Sequence, residues 1–161
     1  MTYTYIKRLS EGESAHKAEL EMLEKALKEH YGLDMTGLEI IKGEHGKPYF
    51  AEGYPHFNFS NSGGYAACAV SDVPVGVDIE VVRDVSDAVM DRFLGGARGD
   101  RSERTAIWTR YESMGKCTGE GIPHSLCEKD FVFTEEFIGS VSLSVCTKSE
   151  KSAIYLVDIY N

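Results

Sequence analysis

Residues 57–80 read FNFSNSGGYAACAVSDVPVGVDIE, and the last few of them, continued as VGVDIEVV, decide the architecture. Side chains alternate across a strand, so Val75, Val77, Ile79 and Val81 share one face and Gly76, Asp78 and Glu80 the other. The two carboxylates then stand roughly 6–7 Å apart along the strand, at about 3.3 Å of rise per residue. That spacing lets both reach one hydrated cation, and it equally suits a half-exposed strand with a solvated acidic face. Upstream, the run Ser60-Asn61-Ser62-Gly63-Gly64 reads as a loop whose backbone N–H groups suit a phosphate, although short Gly/Ser runs are usually only turns.

Working outward, FNFS, YAACAVSD and VGVDIEVV are strands separated by glycine and proline turns. Before them, TYTYIKRL alternates as a first strand. A helix over 11–31 follows, with Ser10 and Glu13 as a capping box, Leu20, Leu23, Leu27 and Tyr31 as its stripe and Gly32 as its stop. LEIIKGEHGKPYF is a strand broken at Gly46-Lys47-Pro48. After them come a short helix, DVSDAVMDRFL, the loop GGARGD, and a long helix from Ser102 to Thr118 ended by Gly119-Glu120-Gly121. KDFVFT, GSVSLSVCT and SAIYLVDIY close the chain as strands. AACAVSDVPVGVDIE (66–80) resembles LSVCTKSEKSAIYLVDIY (143–160) as a cysteine-bearing strand, a turn and Val-Asp-Ile, through duplication or through coincidence between two amphipathic hairpins. The expected fold is α+β, one domain of two pseudo-symmetric halves, about 1–83 and 84–161, each a helix on a small antiparallel sheet.

The 161 residues suit one such domain, and the formal charge of −9 argues against nucleic acid as a partner. No stretch approaches the roughly 18–20 apolar residues of a membrane span, and MTYTYIKRLSEGES lacks the apolar core of a secretory signal, so the expectation is a cytoplasmic protein. Cys68, Cys117, Cys127 and Cys146 show neither CxxC pairing nor zinc spacing and read as free thiols. Arg92, Arg98, Arg101, Arg104 and Arg110 stand against only Asp100 and Glu103 in that span, which makes either a solvated face or a docking patch for an acidic partner.

In IWTRYESMGKCTGEGI (107–122), Trp108, Glu112 and Lys116 recur every four residues on one helix face. The bland account is a core tryptophan beside a Glu-to-Lys pair. The functional account makes Glu112 a third carboxylate and Lys116 a phosphate partner.

The order GKP, FN-x-S-x-S-G-G-x-x-A-x-C-A, P-x-G-V-D-I-E, then W-T-x-x-E-S-x-x-K-x-x-G-x-G resembles the Sfp-type 4′-phosphopantetheinyl transferases, over about Gly46 to Ile122. The resemblance implies a pseudo-duplicated α/β fold with its site between the halves. It implies transfer of phosphopantetheine from coenzyme A to a serine of an acyl or peptidyl carrier protein, with Mg²⁺, releasing 3′,5′-ADP. By matching motif, Asp78, Glu80 and Glu112 are implied as metal ligands, and Lys116 as the diphosphate or leaving-group partner, with Asp78, Glu112 and Lys116 carrying catalysis. Lys47 and Pro48 resemble the adenine-side contact, and Ser60, Asn61, Ser62 and Gly63 the phosphate contact. Carrier proteins of this class tend to be acidic, which gives the arginine cluster a role, and a duplicated chain completes its site as a monomer. The chain departs from the pattern at Asn61 (usually histidine), at Tyr111 (usually lysine) and at Gly115 (usually larger and apolar), and its helix over 11–31 retains only Lys17, Lys25 and Lys28 as its lysine and arginine cations. A catalytically weak or inactive relative that binds coenzyme A or a carrier is the alternative, and a metal-dependent hydrolase of a diphosphate ester is a third.

Overall fold

The computed structural model describes residues 1–94, 96, 99–122 and 128–157. Its strands are β1 (Thr2–Arg8), β2 (Ile40–Lys42), β3 (Pro48–Phe50), β4 (His56–Ser62), β5 (Tyr65–Ser71), β6 (Gly76–Val81), β7 (Val132–Ile138), β8 (Val141–Thr147) and β9 (Ser152–Val157). The helices are α1 (Ala15–Ala26), α2 (Asp87–Leu94) and α3 (Arg101–Thr118). A larger sheet runs β4-β5-β1-β9, a smaller one β6-β8-β7, and β2 and β3 form a separate hairpin.

Alternation on the strands explains how these elements stack. One face of the larger sheet, with Tyr5, Phe57, Ala66, Cys68 and Val70, packs on Ala18, Met22, Leu23 and Ala26 of α1. Its other face, with Ile6, Ala67 and Ala69, meets Val77, Ile79, Val141, Leu143 and Val145 of the smaller sheet. The far side of the smaller sheet receives α3. The order of layers is therefore helix, sheet, sheet, helix, and small residues on β5 let the sheets close on one another. Each fully buried Val, Leu or Ile side chain contributes on the order of 1.5–3 kcal/mol to this arrangement.

The mixed α/β class expected from the sequence is present. The larger sheet is not purely antiparallel, however, because β9 pairs parallel with β1. Strands also cross the boundary near residue 83 in both directions: β6 pairs with β8, and β9 with β1. The segments 66–80 and 143–160 are consequently not hairpins, since β5 and β6 lie in different sheets, as do β8 and β9. Residues 158–160 of the second segment lie outside the described residues.

The first helix starts later than Ser10 and Glu13 suggest. Glu13 accepts from Ser10 N at 2.9 Å, but Lys7 also holds its carboxylate, so the pair closes a turn before the helix. Ser14 caps instead, accepting from Lys17 N at 3.3 Å. The helix then widens into a π turn over Leu27–Tyr31 and stops at Gly32, where φ is +64°. α3 begins at Arg101, one residue before the Ser102 expected, on a reciprocal capping box of Asp100 and Glu103 that was not singled out from the sequence, and it ends as read at Gly119, with φ +77°. No described helix is long and apolar enough to cross a membrane.

Candidate functional site between β4, β6 and α3

The segment Ser60-Asn61-Ser62 is a strand, not a loop: all three belong to β4, and only Gly63 and Gly64, with φ of +58° and +79°, make the turn into β5. β4 is an edge of the larger sheet and β6 an edge of the smaller one. Alternate β4 side chains join these edges. Val77 N donates to Asn58 Oδ1 at 2.9 Å, Ile79 N to Ser60 Oγ at 3.1 Å, and Val81 N to Ser62 Oγ at 3.0 Å. Side-chain oxygens thus do what a neighbouring strand's carbonyls would do, and the edge N–H groups of β6 are satisfied. The polar residues of FNFSNS form this ladder, in which Ser60 and Ser62 each accept a backbone hydrogen bond.

Asp78 stands at the centre of this seam and is 3% exposed. Its Oδ1 accepts from Lys116 Nζ at 2.7 Å and from Ser60 Oγ at 3.2 Å, and Lys116 Nζ also donates to Ser60 Oγ at 3.1 Å. Its Oδ2 is buried with no partner. Burial pushes the Asp78 carboxyl up to about 7, against the pull of Lys116, and the charges of Glu80 and Glu112 push the same way as burial. An orphaned carboxylate oxygen beside two further acids is the donor chemistry of a hard cation such as Mg²⁺. Asp78, Glu80 and Glu112 fit such an ion in type. Among the described residues they do not converge into a ready coordination cage, because Lys116 already lies on Asp78 and Glu80 leans toward Arg83, 3.7 Å away. Glu112 is half-buried, and burial raises its carboxyl above the usual range while Lys116 opposes.

α3 is held against this seam by small residues. Thr105, Thr109 and Ser113 form its buried face, and Ser113 Oγ meets Ser144 Oγ of β8 at 2.9 Å. A Cβ on Gly76 would stand 2.0 Å from Ser113 O and 2.3 Å from Cys117 N, so only glycine lets the helix backbone lie on β6. Gly115 has a matching role: its Cβ would meet Gly121 C at 2.6 Å, where the chain folds back after the helix. Trp108 is partly exposed, and the buried stripe of α3 does not run through it.

A cleft of ≈ 330 Å³ opens beside the seam, lined by Lys47, Pro48, Asn58, Phe59, Glu112, Gly115, Lys116, Gly119 and Gly121, among others. A neighbouring cavity of ≈ 440 Å³ shares Pro48, Asn58 and Phe59 and reaches His16 and Leu20 of α1. Each lies in the size range of small-molecule sites. The structure therefore brings GKP, β4 and the Glu112–Lys116 turn to one cleft, as the motifs imply. Lys47 does not aim its ammonium into it. Nζ donates to Val75 O at 3.0 Å and Cys117 O at 3.2 Å, tying the β2–β3 turn to the start of β6 and the end of α3, and burial lowers its pKa.

Asn61 is also engaged: Nδ2 donates at 2.9 Å to Oε1 of Glu19, a carboxylate of α1 that is 5% exposed. The other Glu19 oxygen lies 3.5 Å from His16 Nδ1. Glu19 had no signal in the sequence, where it is one acid among many on the helix. Asn58 had one, in its period-two spacing with Ser60 and Ser62.

The arginine run is largely paired within the molecule. Arg101 binds Asp84 at 2.8 Å, Arg104 binds Asp87 and Val85 O, and Arg110 binds Glu135 at 2.7 Å and reaches Glu128 at 3.4 Å. Tyr111 is half-buried beside Glu128, and burial, the largest cause, raises its pKa, with Glu128 adding to the shift. Arg92 is exposed on α2, and Arg98 lies outside the described residues.

No family model matches the chain. A 4′-phosphopantetheinyl transferase of Bacillus subtilis is 30% identical over 131 residues, which cover 72% of this chain and 58% of that protein. The 4′-phosphopantetheinyl transferase AcpT of Escherichia coli K12 is 34% identical over 132 residues, covering 68% of this chain and 66% of that protein. AcpT of Salmonella typhi is 34% identical over 131 residues, covering 68% and 67%. The chain thus spans only 58% of the length of the Bacillus protein.

Proposed function

Because the chain belongs to the 4′-phosphopantetheinyl transferase family, we propose that it transfers the 4′-phosphopantetheine group of coenzyme A to a serine of an acyl or peptidyl carrier protein, releasing 3′,5′-ADP. The observation that carries this reading is the buried Asp78–Lys116 pair, with Asp78 Oδ2 unpartnered, at the wall of a cleft that also holds Glu112, Lys47 and Pro48. Asp78, Glu80 and Glu112 would hold Mg²⁺ as the cofactor, and the ion would supply neutralisation of the diphosphate charge. Lys116 donates to the departing phosphate oxygen, having Ser60 to orient it. Glu112 accepts the proton of the attacking serine. Asp78 keeps Lys116 at the seam while the substrate is absent.

The fold is a duplicated unit of two halves. In support, α1 and α3 each cover the outer face of one sheet, and the hairpins β4–β5 and β7–β8 are each followed by a strand that crosses to the other sheet. The protein acts in the cytoplasm as a monomer, and the arginine-rich segment from Arg92 to Arg110 steers an acidic carrier.

The test is incubation with coenzyme A, Mg²⁺ and an apo carrier protein, read by intact mass. The expected result is a gain of one phosphopantetheine group on the carrier, with 3′,5′-ADP in equal amount and none after chelation. Free phosphopantetheine without carrier would point to a diphosphate hydrolase instead. A second reading, a relative that binds coenzyme A without transfer, is favoured by one observation: the polar groups of Asn61 and Lys47 are spent on Glu19 and on backbone carbonyls. Coenzyme A binding with no transfer to any carrier of the same genome would select it.

A further inference from the structure

Two buried thiols share a site that the transfer chemistry does not use. Cys117 sits in the last turn of α3, one residue after Lys116, and Cys146 lies on β8, both in one cluster with Met114 and Phe131. Cys117 Sγ donates to Pro74 O at 3.4 Å, and Cys146 is its neighbour in the cluster. Gly76 sets this approach. It is the register partner of Cys146 across the β6–β8 ladder, and a Cβ on it would stand 3.0 Å from Cys117 Cα. Paired antiparallel residues have Cα atoms about 4.5–5.5 Å apart, and disulfides bridge Cα separations of about 4.4–6.8 Å. Both cysteine backbones are therefore neighbours of the same glycine, one across the ladder and one on the helix packed over it.

The surroundings give the thiols different roles. The neighbouring Cys146 thiol lowers the Cys117 pKa, and the charge of Lys47 helps, while the Cys146 thiol is pushed up by Cys117 and by burial. Cys117 also lines a cavity of ≈ 320 Å³ beside Lys47 and Gly119, which a small oxidant can enter. Cys68, by contrast, is fully enclosed beneath α1, and burial raises its pKa.

We propose that Cys117 and Cys146 form a reversible modification site that closes to a disulfide on contact with hydrogen peroxide. Cys117 Sγ takes one oxygen from peroxide, forming a sulfenic acid and releasing the first water. Cys146 Sγ then attacks that sulfur, forming the S–S bond and expelling the oxygen as the second water, so two thiols and one peroxide become one disulfide and two waters. The new bond staples α3 to β8 next to Lys116 and reports the redox state at the cleft. This holds whether or not the protein transfers phosphopantetheine.

The test treats reduced full-length protein with hydrogen peroxide, counts thiols by intact mass after alkylation in denaturant, and maps peptides without reduction. The expected result is paired loss of two thiols, a Cys117–Cys146 peptide, reversal by dithiothreitol, and Cys68 still alkylatable. In Cys146→Ser the reaction should stop at a sulfenic acid on Cys117 that dimedone traps. Wild-type mapping carries the test even if the variant folds poorly. Unchanged thiols, sulfinic acid on Cys117 without a linked peptide, or a bond to Cys68 or Cys127 would overturn the proposal.

Discussion

At the scale of single residues, the site is a balance between one buried carboxylate and one lysine. Asp78 is held in an environment that disfavours its charge; Lys116 pulls against that burial, and Lys116 and Ser60 fix the carboxyl in place. Asp78→Ala should abolish Mg²⁺-dependent transfer, by at least about 10²–10³-fold on the scale of a lost charge-stabilising group; a carrier-labelling assay with near wild-type rates would remove Asp78 from the site. Asn61 is a separate case. Because its amide satisfies the buried carboxylate of Glu19, Asn61→Ala should lower stability by about 1–3 kcal/mol, the cost of an unpaired buried acceptor. Chemical denaturation reads this directly. Coenzyme A affinity that fell while stability stayed level would instead make Asn61 a ligand contact.

At the scale of elements, two close approaches hold the site together: β4 against β6 through side-chain oxygens, and α3 against β6 through glycine. Gly76→Ala drives a methyl group into the backbone of α3, so a loss of about 1–3 kcal/mol or more is expected from overpacking, seen as a lower denaturation midpoint. Gly115→Ala presses instead on the chain at Gly121 and Ile122. It should shift that turn and weaken ligand binding in the cleft, which calorimetry with coenzyme A would measure, while α3 keeps its helicity by circular dichroism. A glycine in a helix normally costs about 1 kcal/mol relative to alanine, and the fold-back of the chain is the reason it is present.

At the scale of the whole molecule, two helix-covered sheets press their apolar faces together, and the cleft lies where β4 of one sheet meets β6 of the other and α3 runs past both. His56 lies beside that junction, where burial first, and Lys47 second, lower its pKa from 6.5. Protonation then opposes folding: stability from this group is complete above the unfolded value and is lost as pH falls through it toward the lower folded value. His56→Gln should flatten the stability profile just below pH 6.5, and an unchanged profile between the variant and the wild type would remove His56 as the cause. Much of this architecture is legible in local sequence. Alternation in VGVDIE assigns its apolar face, Gly119 ends α3, and the spacing of Glu112 and Lys116 puts them on one turn, because strand and helix periods act over a few residues. The run SNSGG shows the limit, since Ser and Asn suit a phosphate loop and an edge-strand ladder equally well, and only the proximity of the β6 N–H groups chooses. The same holds for Lys47, Asn61, Arg101, Arg104 and Arg110, whose polar groups look available in sequence and are paired in space. Local sequence sets the elements and the chemistry they carry. Which polar groups remain for a ligand follows from the folded arrangement, because hydrogen-bond and ion-pair partners come from residues distant along the chain, and burial raises the cost of leaving a polar group without one.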